Sequence, residues 1–416
     1  MTIAANPTLS KQLAAHGQSA IRDLRRALTE IIESLSGDPL APQELSRSFR
    51  IDKTLAWRLS RAIREEDPWL ALQHLPGRSG LGIFEAAMER AGASAERLES
   101  LKQTIERFEE FVSTHARDRE TLEMIVSMPK VGTSKKRLEA FRKSGYQCNS
   151  SLLGVRATMQ FTAQFLAPSR SEGLLDFGLI GGLTELCRLR VNMPWGVATV
   201  ANWGSHKSSV IDHDQGTVPL VERDPGSTDG HSPLLEQFCR PDSLQVKAIE
   251  TSKGVHRYML APGAVGYSAS TDVVYGWVNF AAVPPYASTP GETGDHCLYL
   301  NTPCEEVVFD LFVHESLTFA HSPSVRVFSM FPGMPQYPDP MAANLTLPVP
   351  TDLLELGQSI PEPPNKQMTK YDEMLSLCVA RMGRGLNEFL AFRYRLAFPP
   401  VPSMVCLSHP LLTKGI

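Results

Sequence analysis

Residues 42–61 read PQELSRSFRIDKTLAWRLSR and predict two short helices joined by a tight turn. Their apolar residues have the spacing that two crossing helices need in order to share a core. These residues are Leu45, Phe49, Ile51, Ala56 and Leu59. Pro42 suits the first turn of the first helix, and Asp52 is placed as the N-cap of the second. Lys53 and Thr54 are then exposed at the first turn of the second helix.

This pattern resembles the helix-turn-helix of bacterial DNA-binding regulators, in which the second helix lies in the major groove and contacts base edges. Ser46 stands where that family has a small residue, whereas Arg50 stands where its turn usually has glycine. The resemblance implies that DNA contacts come from Arg47, Arg50, Lys53, Thr54, Trp57, Arg58 and Arg61. The alternative is a structural or protein-binding role, because short helical cores also occur in proteins that do not bind DNA.

Charge is concentrated locally. The chain has 416 residues, enough for two or three domains, and a net charge of −4. That balance gives no general attraction to nucleic acid, so a cationic surface has to be local. Residues 42–61 hold five Lys or Arg against two Asp or Glu, and residues 131–156 hold six against one.

The cysteine pattern and the hydropathy indicate the cellular setting. The chain has seven cysteines, an odd number with no CxxC pair, which predicts reduced thiols and no disulfide framework. It shows no signal-peptide pattern and no apolar run long enough to span a bilayer. We therefore expect a cytoplasmic protein without a membrane segment.

Apolar periodicity predicts two long helices around the central pair. Residues 9–35 form one and supply the third member of the small helical core. Residues 94–128 form the other, with an apolar seam at heptad spacing. The seam residues are Leu98, Leu101, Ile105, Phe108 and Val112. The seam either joins two chains in a homodimer or packs against the 9–35 helix. Between them, residues 69–84 form either a winged tip or a plain connector.

From residue 155 onward the pattern is that of β-strands. Strict alternation over residues 155–165 predicts a long half-buried strand. Further strand-like runs occur at 195–203, 244–251, 255–261, 271–283, 307–315 and 325–331. Helices are predicted at 181–190 and 369–384. Prolines predict a surface wrap over 332–368, and they restrict the tail at 392–411 to a sheet edge or a surface strap.

The predicted fold class is α+β and multidomain. An N-terminal all-α helix-turn-helix domain with a long helical arm precedes a mainly antiparallel β sandwich or barrel-like domain. The predicted boundaries are 1–93 for the helix-turn-helix domain, 94–151 for the long helix and a basic junction, 152–335 for the β-rich domain, and 336–416 for the proline-rich wrap, a helix and the C-terminal strand.

Signatures of catalysis are weak. The phosphate-binding glycine loops and the serine-hydrolase, zinc-protease and kinase motifs are absent from the sequence. Two clusters contain residue types that ligate metals: Asp212, His213 and Asp214, and His296, Cys297 and Cys304. The first reads as a solvated loop and the second lacks a fourth ligand. We therefore predict no metal, no cofactor and no catalytic residues.

Aromatic residues are concentrated in the β-rich half, where they line either an apolar ligand site or an ordinary core. They are Trp195, Trp203, Tyr258, Tyr267, Tyr275, Trp277, Phe280 and Tyr286. We predict a DNA-binding transcriptional regulator whose β-rich domain senses a small apolar ligand or binds a partner. One alternative is a scaffold protein that assembles through its β-rich domain and uses its helical domain for protein contacts. The other is a metal-dependent enzyme housed in the β-rich domain.

Overall fold

The protein is a mixed α/β chain that divides into two compact units, Met1–Thr133 and Ser134–Ile416. The computed structural model describes residues 7–35, 38–127, 135–191, 193–201, 217–221, 232–241, 244–252, 255–330, 345–358, 361–366 and 368–413. The described part of the first unit is helical, and the second contains a large β region of several sheets. The predicted order of a helical region followed by a β-rich region is therefore confirmed.

The described helices of the first unit share one apolar core. They are α1 (Pro7–Ser34), α2 (Pro42–Ser48), α3 (Lys53–Arg64), α4 (Pro68–Leu72), α5 (Arg78–Arg90), α6 (Ala95–Ala116) and α7 (Arg119–Ser127). The apolar stripe of α1 packs against α6. Leu101, Phe108 and Val112 are buried there, and Leu98 and Ile105 pack against the same core half-buried. The seam is therefore occupied within the chain.

The predicted single helix over residues 94–128 is wrong, because the chain breaks between α6 and α7. Arg117 has a φ of 68°, a left-handed conformation that a right-handed helix cannot continue. Asp118 then accepts a hydrogen bond from the Thr121 N–H at 2.7 Å and begins α7. Residues 69–84 are the end of α4, a connector and the start of α5, so no winged tip forms there.

The second unit has two described α-helices and thirteen described strands. They are α8 (Lys135–Leu153), β1 (Val155–Pro168), β2 (Leu175–Arg188), β3 (Trp195–Ala201), β4 (Thr217–Pro219), β5 (Val246–Ser252), β6 (Val255–Leu260), β7 (Thr271–Val283), β8 (Thr293–Leu300), β9 (Cys304–His314), β10 (Ser324–Ser329), β11 (Leu353–Gly357), α9 (Tyr371–Arg381), β12 (Phe389–Ala397) and β13 (Ser403–Pro410). The largest sheet has the order β11-β12-β9-β1-β2-β7-β4, and three-stranded sheets have the orders β10-β13-β8 and β3-β6-β5. Among the described strands, β1 and β9 pair in parallel and the other pairs are antiparallel.

Strand β1 lies at the centre of this unit and is buried on both faces, so the predicted half-buried strand is wrong about one face. Phe161 and Phe165 pack with residues of α9. On the other face, the side-chain amides of Gln160 and Gln164 donate to the carbonyl groups of Tyr299 and Cys297, at 2.9 and 3.1 Å. Two of the alternating polar residues that suggested solvent, Gln160 and Gln164, therefore bond to the β10-β13-β8 sheet.

The helix predicted at 181–190 is also wrong, because residues 181–188 belong to β2. Its backbone pairs with β1 on one side and β7 on the other, and these ladders outweigh its helical propensity. Gly181 and Gly182 permit the close approach. A Cβ on Gly181 would lie 2.8 Å from the Tyr275 ring, and one on Gly182 would collide with the Val273 carbonyl.

Two further predictions are corrected at the ends of the second unit. The C-terminal tail is not an edge or a strap: β12 lies between β11 and β9, and β13 lies between β10 and β8. The prolines at 399, 400 and 402 fall in the connection between these strands, so the ladders stay intact. The basic junction is helical from Lys135, and α8 buries Tyr146. Residues 128–134 lie outside the described residues.

Candidate nucleic-acid interface

The connection between α2 and α3 spans residues 49–52 and contains a left-handed residue. Arg50 has a φ of 51°, the conformation that glycine takes most easily, which costs arginine about 1 to 2 kcal/mol. Two contacts of the next residue stabilise the turn. Ile51 is buried, and the Ser46 hydroxyl donates to the Ile51 carbonyl at 2.8 Å.

Asp52 caps α3. Its carboxylate accepts from the backbone N–H groups of Thr54 at 2.7 Å and Leu55 at 3.4 Å. The Thr54 N–H is the main cause of the lowered pKa of the Asp52 carboxyl, since it stabilises the charged form. The cap determines where α3 begins, and it leaves Lys53 and Thr54 exposed in the first turn.

One face of α3 is exposed and the opposite face is core. Ala56 and Leu59 are fully buried, whereas Lys53, Thr54, Trp57 and Arg61 are exposed. Trp57 leaves 49% of its surface to solvent, unusual for so large an apolar side chain. The guanidinium carbon of Arg61 lies 5.8 Å from the centre of the Trp57 ring, within cation–π range. We call Lys53, Thr54, Trp57 and Arg61 the α3 face.

Three other residues from the sequence analysis take different positions. Arg47 and Arg50 are exposed at the end of α2 and in the turn. Arg58 is half-buried, and its guanidinium donates to the Leu75 carbonyl at 3.0 Å. Arg58 is therefore bonded to the connector after α4 and is not part of the α3 face.

Sequence reasoning missed a second arginine that serves the same connector. Arg119 of α7 donates to the carbonyl groups of Pro76, at 2.7 Å, and Leu72. Burial lowers the pKa of its guanidinium. The signal in the sequence was a charged residue at a position that continues the apolar heptad spacing. The last carbonyl groups of a helix have no partner within that helix. Arg58 and Arg119 donate to carbonyl groups at the end of α4 and in the connector after it.

The bond from Arg58 leads to a stability prediction. Replacing Arg58 with alanine leaves the Leu75 carbonyl without this charged donor, and we expect the first unit to lose about 1 to 3 kcal/mol of unfolding free energy. Replacing Arg61 removes an exposed side chain and should cost less than about 1 kcal/mol. Chemical denaturation of both variants measures the difference. Equal losses would show that the Arg58 bond contributes nothing specific.

The second unit contains a buried ionic network on β9, β12 and α9. Arg393 is 6% exposed and Asp310 is fully buried. The guanidinium donates to both oxygens of the Asp310 carboxylate, at 2.7 and 2.6 Å. The Tyr371 hydroxyl also donates to Asp310, at 2.5 Å, and Arg393 donates to the Glu362 carbonyl at 2.9 Å. Because its charges are paired inside the protein, this cluster reads as structural.

The metal cluster suggested by His296, Cys297 and Cys304 does not assemble. His296 faces a second buried imidazole, His409, with ring centres 5.3 Å apart. Cys297 lies beside another cysteine, Cys406. Across the part of the chain that the structure describes, no group of three metal-binding side chains comes together. Asp212, His213 and Asp214 lie outside that part.

The histidine at the end of β9 has partners for both ring nitrogens. His314 Nε2 lies 3.1 Å from a carboxylate oxygen of Glu388, and Nδ1 lies 2.9 Å from the Ser316 hydroxyl. These contacts join the end of β9 to the residues before β12. The sequence neighbour Glu315 bonds elsewhere, with the Gln358 amide at 2.9 Å.

The aromatic residues suggested for an apolar ligand site divide into core and surface. Tyr258 and Tyr275 are buried in a core cluster, and Trp195 and Trp277 pack against it. Tyr267 is 52% exposed. Trp203 lies outside the described residues. Most of the described members of this set therefore form ordinary core packing.

Comparisons with known proteins identify no family. No protein-family model and no curated protein sequence matches the chain. A solved structure from Parabacteroides distasonis, named as a putative protease, is similar over 62% of this chain, at 7% identity and a TM-score of 0.25. The match spans 41% of that chain, less than half of its length, and a likeness this weak supports no argument about function. Throughout the described residues, every helix is too short or too polar to cross a bilayer.

Proposed function

We propose that the chain is a DNA-binding transcriptional regulator in which α3 contacts DNA. The observation that carries the proposal is the α3 face, where two cations, a hydroxyl and a tryptophan stand exposed on one short helix backed by core residues. Cations bond phosphates and guanine edges, and a hydroxyl bonds bases or phosphates, so this face has the side chains that DNA contacts use.

The neighbouring residues add to the charge of this surface. Arg47 and Arg50 are exposed just before α3, at positions suited to phosphate contacts. Arg58 is a positioning residue in this proposal, because its guanidinium bonds to the Leu75 carbonyl. The rings of His74 and Trp57 meet edge to face, with centres 5.9 Å apart, and this contact limits how Trp57 can turn.

DNA affinity of a double variant that lacks two cationic side chains tests the proposal. Fragments bound by the full chain are first selected from a random DNA pool, and affinity is then measured by fluorescence anisotropy. Replacing both Lys53 and Arg61 with alanine should weaken binding at least tenfold, because each lost contact is worth about 1 to 3 kcal/mol. The steepness of the salt dependence should also fall, since fewer counterions are released.

A matched control removes the same charge elsewhere on the first unit. Arg22 of α1 and Lys102 of α6 are both exposed, and their double alanine variant should bind like the unaltered protein. Equal weakening in both double variants would mean that only overall charge matters. Unchanged affinity in the Lys53 and Arg61 variant would remove the α3 face from the proposal.

The β-rich unit is proposed to bind a partner or a small apolar ligand. The alternative for the whole chain is a scaffold protein, which the net charge of −4 favours. Salt titration separates the two readings, because phosphate contacts make affinity fall steeply with added salt. A homodimer through α6 would have to use its exposed face, since Leu101, Phe108 and Val112 are buried within the first unit.

A further inference from the structure

Two cysteines lie directly opposite each other on neighbouring strands of the β10-β13-β8 sheet. Cys297 of β8 and Cys406 of β13 are register partners in an antiparallel pair. Their sulfur atoms are 3.6 Å apart, with the Cys297 thiol donating to the Cys406 sulfur. Both residues are free thiols. Two thiols are therefore already in contact although they are 109 residues apart in the sequence.

The backbone geometry suits a covalent bond between them. Opposite residues of an antiparallel pair have Cα atoms about 4.5 or 5.5 Å apart, and disulfides accept Cα separations of about 4.4 to 6.8 Å. The sulfur atoms need to approach by about 1.5 Å to reach the bond length of a disulfide. Rotation about the Cα–Cβ bonds can supply that movement while the strands stay paired.

The two cysteines differ in burial and lie among other sulfur-containing and aromatic side chains. Cys406 is fully buried beside Met404 and Phe328, whereas Cys297 is half-buried. Arg326 of β10 is the register partner of Cys406 on its other side, so a cation and the two thiols form a row across three strands. Cys297 is therefore the more exposed residue of the pair, and the Cys406 sulfur lies within contact distance of its sulfur.

We propose that Cys297 and Cys406 are a modification site, which a hydroperoxide converts into an intramolecular disulfide and a thiol reductant restores. The Cys297 sulfur, as thiolate, attacks the peroxide; the O–O bond breaks, the sulfur becomes a sulfenic acid, and the leaving oxygen takes a proton. The Cys406 sulfur then attacks the sulfenic sulfur; the S–S bond forms, the S–O bond breaks, and water leaves with the Cys406 proton. Two thiols and one hydroperoxide give one disulfide, one alcohol or water, and one water.

The reaction should be faster at higher pH. The hydrogen bond to Cys406 and burial raise the pKa of Cys297, and the Asp295 carboxylate acts in the same direction, while the Arg326 guanidinium lowers it. The thiolate is the reactive form, so more alkaline solution increases its population. The product would join β8 to β13 and close a long loop, which restricts the unfolded chain.

Hydrogen peroxide is the probe for the full chain. After treatment, free thiols are blocked with N-ethylmaleimide and the digested protein is examined by mass spectrometry with and without reductant. We expect a linked peptide pair containing Cys297 and Cys406, a loss of two of the seven thiols at the early stage, and recovery of both on reduction. The oxidised protein should also unfold at a higher denaturant concentration than the reduced protein.

Single variants separate this reaction from general thiol oxidation. Cys406→Ala should abolish the linked pair and leave Cys297 to oxidise further to sulfinic acid, whereas Cys148→Ala removes an exposed thiol and should change neither product. If a variant does not fold, the presence or absence of the linked peptide pair in the unaltered protein decides whether the proposal holds. Oxidation of other thiols while Cys297 and Cys406 stay unlinked, or a stable sulfenic acid on Cys297 with Cys406 intact, would overturn the proposal.

Discussion

Replacing Asp310 with alanine is expected to remove about 3 to 5 kcal/mol of the unfolding free energy of the β-rich unit, which is enough to prevent folding of a marginally stable unit. The carboxylate is fully buried and accepts from both Arg393 and Tyr371. Its loss leaves the Arg393 guanidinium charged, 6% exposed and without a counter-ion. Urea denaturation followed by circular dichroism measures the change.

A second ion pair between the same two strands provides the control. Arg395 donates to the Glu306 carboxylate at 2.9 and 2.7 Å, but this pair is partly exposed to solvent. Removing Glu306 should therefore change stability by less than about 1 kcal/mol. The double variant Asp310→Leu with Arg393→Met should recover much of the loss, because no unpaired charge remains. If replacing Asp310 and replacing Glu306 reduced the unfolding free energy by similarly small amounts, the structural role given to Asp310 would be contradicted.

Lowering the pH from 6.5 to 4 is expected to cost the β-rich unit on the order of 3 kcal/mol through His296 alone. Burial, and next the neighbouring His409, lower the pKa of His296 to about 3. The folded form therefore binds fewer protons than the unfolded chain. The stability that the neutral, buried His296 contributes is fully present above the unfolded pKa of about 6.5. It is lost as the pH falls towards the pKa of His296 in the folded protein. Stability curves at several pH values measure this slope.

The titrating groups around His296 determine the controls. His409 has a pKa lowered mainly by burial, and Asp295 acts on it in the opposite direction. Phe177 stacks on His296 with ring centres 5.9 Å apart and does not titrate. The variant His296→Phe keeps an aromatic ring in place and should flatten the pH dependence, whereas His256→Phe on β6 should not. An unchanged slope in the His296 variant would assign the acid sensitivity to other groups.

Several elements could be predicted from short-range patterns. The α2 and α3 helices, the Asp52 cap and the alternation of β1 follow from nearest neighbours in the sequence, because capping and periodicity act within a few residues. The exposure of Lys53, Thr54, Trp57 and Arg61 follows from the same periodicity. These features depend on local geometry, which the sequence specifies directly.

Two of the errors, both in the second unit, share one physical origin. The polar residues of β1 predicted a solvent face, yet Gln160 and Gln164 bond to a second sheet whose strands come from far along the chain. The segment 181–190 predicted a helix, yet two flanking strands make it part of β2. In each case a distant partner satisfied the polar or backbone groups, and local patterns contain no information on which distant segment arrives.

The sequence by itself determined the order of a helical region and a β-rich region, the two helices around residues 49–52, and the exposure of Lys53, Thr54, Trp57 and Arg61. Only the tertiary structure decided that Arg58 bonds to the Leu75 carbonyl, that Arg393 pairs with Asp310, and that Cys297 meets Cys406. The reason is one of range: capping and periodicity act over a few residues, whereas these pairs join positions that only strand order and helix packing bring together.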